Sequence, residues 1–193
     1  MNDTQKRFDI AEGLIKDPSF RQNKGLGNEV GYYVFDYPAR DELEVRERIK
    51  FWEKKNKPLI DGFELKVFDL YDIMIDILEA EGFLEQCFMF EKKHGMNRLE
   101  AAIGRTLKLS DDSGGIIADY IRDHTPENAV VFLMGVGKCY PVLRSHKVLN
   151  NLHQVFDSVP VVLFYPGKYS GEGLILFDDI DDGNYYRAFK LVN

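Results

Sequence analysis

The spacing of apolar residues divides the chain into stretches of helix period and strand period that alternate almost from end to end. Phe8, Ala11, Leu14 and Ile15 fall on one face of a helix predicted over Asp3 to Ile15, and Asp17-Pro18 ends it. After a glycine-rich turn, LGNEVG (Leu26 to Gly31), the aromatic and β-branched run YYVFDYP (Tyr32 to Pro38) predicts a buried strand that Pro38 stops. A helix from about Asp41 turns Val45, Ile49 and Trp52 inward, with Glu42–Arg46 and Glu44–Arg48 spaced for ion pairs one turn apart. Lys57-Pro58 and Gly62 close that unit, and FELKVFDL (Phe63 to Leu70) predicts the second strand. From Tyr71 the period is helical: Ile73, Ile77 and Leu78 face one way, Gly82 interrupts, and Leu84, Cys87 and Phe88 continue. Further helices over Asn97 to Leu107 and Ile116 to Ile121 complete a helical insertion between strands two and three.

The remainder is rich in strands. Val130 to Met134 is followed by a helix from about Leu143, then by apolar runs at Val159 to Tyr165, Leu174 to Phe177 and Tyr185 to Val192. The uninterrupted runs VVFLM and VVLFY suit central strands covered on both faces. The alternation of Tyr185, Arg187, Phe189 and Leu191 with their neighbours suits an edge strand. The pattern therefore predicts an α/β fold: a mainly parallel central sheet with flanking helices, the helical insertion between strands 2 and 3, and a C-terminal β-hairpin. Residues 1–193 read as a single α/β domain, without internal repeats or a low-complexity linker.

Composition narrows the function classes. At 45% hydrophobic and 30% charged, the chain is an ordinary globular sequence and not a disordered one. Its 25 basic and 32 acidic residues give a net charge of −7, which argues against direct contact with nucleic acid or an anionic membrane. Two cysteines, Cys87 and Cys139, fit a reducing compartment. The N-terminus MNDTQKRFDI has no apolar leader, so a cytoplasmic location is expected.

The segment FLMGVGKCYPVLRSHKVLNNL (Phe132 to Leu152) has the layout of a strand, a phosphate-cradling loop and a helix. A Walker loop needs a glycine four spacers before Gly-Lys-Ser/Thr. Here Phe132 stands at the first glycine and Cys139 at the magnesium-binding hydroxyl, although magnesium prefers oxygen. Gly135 and Gly137 then read as a tight strand-to-helix corner, with Pro141 suited to open the helix. Gly135, Gly137 and Lys138 remain the alternative reading, a degenerate nucleotide or phosphate sensor assisted by the loop Pro166 to Gly173.

Other chemistry is incomplete. His146 and His153 lie two helical turns apart, too far for the zinc pair of an HExxH helix, and no CxxC accompanies them, so no metal is expected. In FDDIDDGN (Phe177 to Asn184), Ile180 and Phe189 occupy positions where a calcium loop needs oxygen ligands, and the run reads as a polar turn between strands. Ser145 and His146 are adjacent on a helix and point about 100° apart, so they do not form a nucleophile–base pair. Cys139 reads either as a thiol at a helix N-terminus or as a buried packing residue. No catalytic set assembles from the sequence, so neither an enzymatic activity nor a cofactor is expected. Between Ala129 and Gly173, Lys138, Arg144, Lys147 and Lys168 outnumber Asp157 and Glu172, a basic edge suited to an acidic partner or a phosphate. The loop PGKYSGEG (Pro166 to Gly173) displays Lys168 and Tyr169 and reads as a hairpin turn or a binding loop.

Several motifs, in order, resemble a known family. These are KGLGNEV, FDYP, FLMGVGKCYPVLRSHKVLNNL, FYPGKYSGEGLILF and DDGNYYRAFKLV, together spanning nearly the whole chain from Phe8 to Val192. The resemblance is to the BrxB family of bacterial BREX phage-defence systems. It implies a small accessory or scaffold subunit without catalytic residues of its own. The partner it implies is a PglZ-like protein of the alkaline-phosphatase superfamily, along with other BREX subunits. The positions expected to contact that partner are Arg144 and His146 of the LRSH element, Lys168 and Tyr169 of the glycine-rich loop, and Tyr186 and Arg187 of NYYRAF.

Overall fold

The computed structural model describes residues 2–22, 31–109, 115–185 and 188–193. Most of the predicted turn LGNEVG, and both Tyr186 and Arg187, lie outside the described residues. The chain opens with α1 (Asp3–Lys16) and the single turn α2 (Pro18–Arg21). Asn2 and Gln5 start α1 through a reciprocal capping box. The strand β1 (Tyr32–Tyr37) leads through a 3-10 turn (Ala39–Asp41) into α3 (Glu42–Lys55) and the short α4 (Pro58–Asp61). Gly62, at φ +75°, ends α4 in the left-handed conformation that favours glycine. Then come β2 (Glu64–Asp69) and the helical insertion: α5 (Leu70–Ala80), α6 (Leu84–His94), α7 (Met96–Thr106) and α8 (Gly115–Asp123). The chain continues with β3 (Ala129–Met134), the turn α9 (Val136–Cys139), α10 (Ser145–Val155), β4 (Val161–Tyr169), β5 (Gly173–Leu176), β6 (Ile180–Tyr185) and β7 (Phe189–Lys190).

The sheet order is β2-β3-β4-β1-β7, and the strands along this path are parallel. The apolar β3 and the apolar first part of β4, Val161 to Tyr165, are central, as continuous hydrophobic runs require. From β2 through β4 the chain advances in one direction, with the intervening helices on one face. From β1 to β2 it runs back across the sheet, so a right-handed crossover places α3 on the opposite face. The core divides accordingly into two clusters. Val34, Val131, Leu133, Leu163 and Tyr165 pack under α5, α7, α8 and α10, whereas Phe35, Phe132, Val162 and Phe164 pack under α1 and α3. Neighbours along each strand fall in opposite clusters because successive side chains leave a strand on alternate faces. Phe8 of α1 sits at the centre of the second cluster, its ring centroid 4.7 Å from Phe35, 5.4 Å from Trp52 and 5.9 Å from Phe164.

The β5 strand folds back antiparallel on the end of β4, and β6 pairs with β5. This hairpin extends beyond the carboxyl edge of the parallel sheet. The expected continuous strand Tyr185 to Val192 divides in two: β6 belongs to the antiparallel ribbon, while β7 lies parallel to β1 at the other edge. One straight strand cannot serve both partners. The turn expected within FDDIDDGN falls earlier, where Phe177 (φ 55°) and Asp178 (φ 63°) are left-handed and the Asp179 amide donates to the Leu176 carbonyl. The calcium-loop register is thereby replaced by strand from Ile180 onward. Pro141 does not open a helix, since α10 begins at Ser145.

Three smaller expectations also change. Leu14 and Phe88 are exposed, because the buried stripes of their helices are narrower than the apolar runs. Glu42–Arg46 pairs as spaced, but Arg48 reaches Asp9 on α1 instead of Glu44. Cross-helix geometry outweighs the local spacing there. Among the described residues, no helix is long and apolar enough to cross a membrane. Replacing Phe8 with Ala is expected to cost ~3–5 kcal/mol, the usual range for a buried phenylalanine, read from urea-unfolding midpoints.

Candidate functional site

In an open α/β sheet, ligands favour the carboxyl edge, above all where the strand order reverses. Here that place is the boundary between β4 and β1, and a polar network of the chain's own residues occupies it. Asp36, in the FDYP motif of β1, is buried at 6% exposure. Its Oδ1 accepts from the Arg7 guanidinium at 2.7 Å, and its Oδ2 accepts from the Tyr169 backbone amide at 3.0 Å. Lys190 Nζ of β7 lies 3.1 Å from Oδ2. Arg7 also donates to the carbonyls of Asp36 (2.6 Å) and Val192 (3.0 Å), and it stacks over Phe35 with its guanidinium carbon 4.9 Å from the ring centre. Burial pushes the Asp36 carboxyl upward, but the Tyr169 amide, Arg7 and Lys190 outweigh it and hold the pKa below the ordinary value. The network therefore joins α1, β1, β4 and β7 through one ionised carboxylate.

Tyr169 belongs to this closed network rather than to a displayed loop. It is 3% exposed, and its hydroxyl lies 2.7 Å from the Ala188 carbonyl and 3.0 Å from that of Gly171. The surface role expected for it is thus corrected: β4 extends through residue 169, and strand alternation turns Tyr169 inward and Lys168 outward. Lys168 is exposed and pairs with Asp178 at 3.5 Å across the hairpin.

The second polar cluster stands at the ends of β2 and β3. Asp69 caps α5 by accepting from the Tyr71 amide at 3.0 Å. Lys138 Nζ lies 2.5 Å from Asp69 and 3.2 Å from Asp72. Burial alone lowers the Lys138 pKa, but the two carboxylates outweigh it and raise it above the usual lysine value. A cation held between two carboxylates offers little to a phosphate. Gly135, at φ +84°, brings the corner so close that an added Cβ would lie 2.2 Å from Asp69 Oδ1. At Gly137 the added atom would lie 2.9 Å from the Phe177 ring. Both glycines thus serve close packing between the corner, α5 and the hairpin. Cys139 is buried, its thiol pushed up to about 12 by burial and by Asp69, so it stays protonated and non-nucleophilic.

Arg144 is the N-cap residue of α10, half-buried, and its carbonyl accepts from the amides of Lys147 and Val148. His146 follows in α10, its side chain outside the described ones. His153 stacks on Tyr32 with ring centroids 3.6 Å apart, while the Tyr32 hydroxyl donates to the Phe156 carbonyl. Among the described residues, no group of three His, Cys, Asp or Glu side chains is placed to hold a metal ion. The sequence-selected residues therefore divide among the corner, the hairpin and the start of α10. The residues that organise the edge, Arg7, Asp36, Asp69, Asp72 and Lys190, escaped sequence reading. A lone aspartate in the apolar run YYVFDYP was the available signal, because a buried carboxylate requires partners.

A sequence model of the family described as "BREX protein BrxB" matches residues 66–191. The chain is 43% identical over 193 residues, the whole of both chains, to "BREX protein BrxB" of Bacillus cereus (strain H3081.97). It is 34% identical over 188 residues to "BREX protein BrxB" of Escherichia coli O9:H4 (strain HS), covering 96% of this chain and 90% of the relative. This chain belongs to the BrxB family. No solved structure matches it.

Truncating Asp36 to Ala leaves the Arg7 charge uncompensated in a largely buried site. That change is expected to cost ~3 kcal/mol near neutral pH, measured by urea unfolding. Because the folded pKa is depressed, this stabilisation is present above the unfolded carboxylate value of about 4 and is lost as pH falls through the folded value. The acid limb of the stability profile should consequently be shallower in the Asp36→Ala variant. Gly135→Ala is expected to lower the melting temperature through backbone strain and the Asp69 clash, a cost on the order of 1–3 kcal/mol.

Proposed function

We propose that this chain is a non-catalytic accessory subunit of a BREX anti-phage defence complex, acting by contact with a PglZ-like partner. The observation that carries this reading is that the charged groups at the sheet's carboxyl edge bind one another. Asp36 is engaged by Arg7, Lys190 and the Tyr169 amide, and Lys138 by Asp69 and Asp72. Catalysis needs an acid, base or nucleophile free to meet a substrate. The one thiol beside the corner is buried and protonated. Membership of the BrxB family supports a role within BREX, and the internal pairing of these edge groups among the described residues favours a contribution through the surface.

The phosphate-sensing alternative would require ligand phosphate to displace two carboxylates from Lys138, so the contact reading is preferred. The test is co-expression of the tagged chain with the remaining subunits of its BREX system. Stable recovery of the PglZ-like subunit is expected, with the Asp36 network intact. If the folded chain recovers no BREX subunit, the reading fails. A thermal-stability rise with millimolar nucleotide that Lys138→Ala abolishes would instead establish the sensor.

A further inference from the structure

The helical insertion leaves a groove that the polar edge does not share. The helix α6, LEQCFMFEKKH, has no buried residue along its length. It is held by the half-buried Leu84, Cys87 and Phe90, which touch the core, while Phe88 and Met89 stand 57% and 66% exposed. Between α6 and α7 runs a groove of about 200 Å³, whose floor includes Cys87, Phe90, Leu99, Ala102 and Ile103. The 11 residues of α7 give it a length of roughly 16 Å, or three turns of a helix.

Helical spacing fixes the rims. On α6, Gln86, Met89 and Lys93 recur at three- and four-residue intervals along the groove side. On α7, Arg98 and Arg105 flank Ala102 on the outer side of the buried Leu99–Ile103 stripe. By the same spacing Glu91 and Glu100 lie off the rim rows, whereas Glu85 stands one turn before Met89, so the rims carry three cations against one carboxylate. Among the described residues, Lys93, Arg98 and Arg105 carry no ion pair, although the protein as a whole is acidic at −7. The groove therefore combines an apolar floor with rims of net positive charge. Nucleic acid would use the cations but not the apolar floor or the exposed Met89. An amphipathic helix with a hydrophobic stripe and acidic flanks uses both.

We infer that the α6–α7 groove is the docking site for an acidic amphipathic helix of another BREX subunit. This rests on the contact function proposed above and assigns it a face. The test co-expresses the tagged chain with the other BREX subunits and compares wild type with Met89→Glu and with Arg98→Glu/Arg105→Glu. These side chains are exposed, and circular dichroism verifies folding of each variant. Leu59→Glu, on exposed α4, is the control. Capture of the partner subunit should fall roughly tenfold or more in both groove variants and not in the control, as loss of interface anchors and charge pairs requires. Added salt should weaken wild-type capture more than that of the charge-reversed variant. A photo-crosslinker at residue 89 should join an acidic helical segment of that subunit.

Undiminished capture by both groove variants overturns this inference and leaves the proposed function standing. Failure of the wild type to capture any subunit overturns both. A wild-type dimer that Met89→Glu dissociates, or duplex DNA binding that Arg98→Glu/Arg105→Glu abolishes, replaces the proposed occupant and overturns the assignment.

Discussion

The ionised carboxylate of Asp36 is the constraint on which the rest of the arrangement depends. It is buried at the end of a central-region strand, where an unpaired charge would be expelled. Its partners come from far apart in the chain: Arg7 from the first helix, the Tyr169 amide from the end of β4, and Lys190 from the last strand. Satisfying one carboxylate therefore fixes α1 on one face, closes the hairpin over the edge and seats β7 beside β1. The carbonyl of Val192 joins through the same guanidinium. Both ends of the chain are tied to the place where an α/β sheet would otherwise receive a ligand.

The consequence for function follows from how these groups are used. In a ligand-binding α/β protein the strand order reverses beside an open crevice with free donors. In this BrxB-family chain the corresponding donors and acceptors are already paired internally, and the neighbouring corner is occupied by Asp69, Lys138 and the Phe177 ring. Away from this edge, the α6–α7 hairpin carries cations without ion pairs among the described residues together with the exposed Phe88, Met89 and Met96. A closed polar edge and an open apolar groove are the two features on which the proposed docking role rests.

Periodicity alone revealed much of the fold. VVFLM and VVLFY are apolar on both faces and are central; Val45, Ile49 and Trp52 share a helical stripe and are buried together. What periodicity does not carry is partner choice. Arg48 has a suitable glutamate one turn away yet binds Asp9, because α1 crosses beside it. Tyr169 sits among glycines and looks displayed, but strand alternation and the Asp36 carboxylate draw it inward. Gly135 and Gly137 were legible as a corner, whereas the atoms that demand glycine, Asp69 Oδ1 and the Phe177 ring, are distant in sequence. Phe88 follows the apolar run of α6 and is nevertheless exposed, since the helix is half-buried along a single side.

The most direct measurement is hydrogen–deuterium exchange on the purified chain with and without the PglZ-like subunit proposed as its partner. A docking subunit of the kind described gains protection across residues 84–106, while the amides around Gly135 to Lys138 and Pro166 to Gly173 are unchanged. Protection confined to those edge loops, with the α6–α7 hairpin exchanging as in the free chain, would contradict the account.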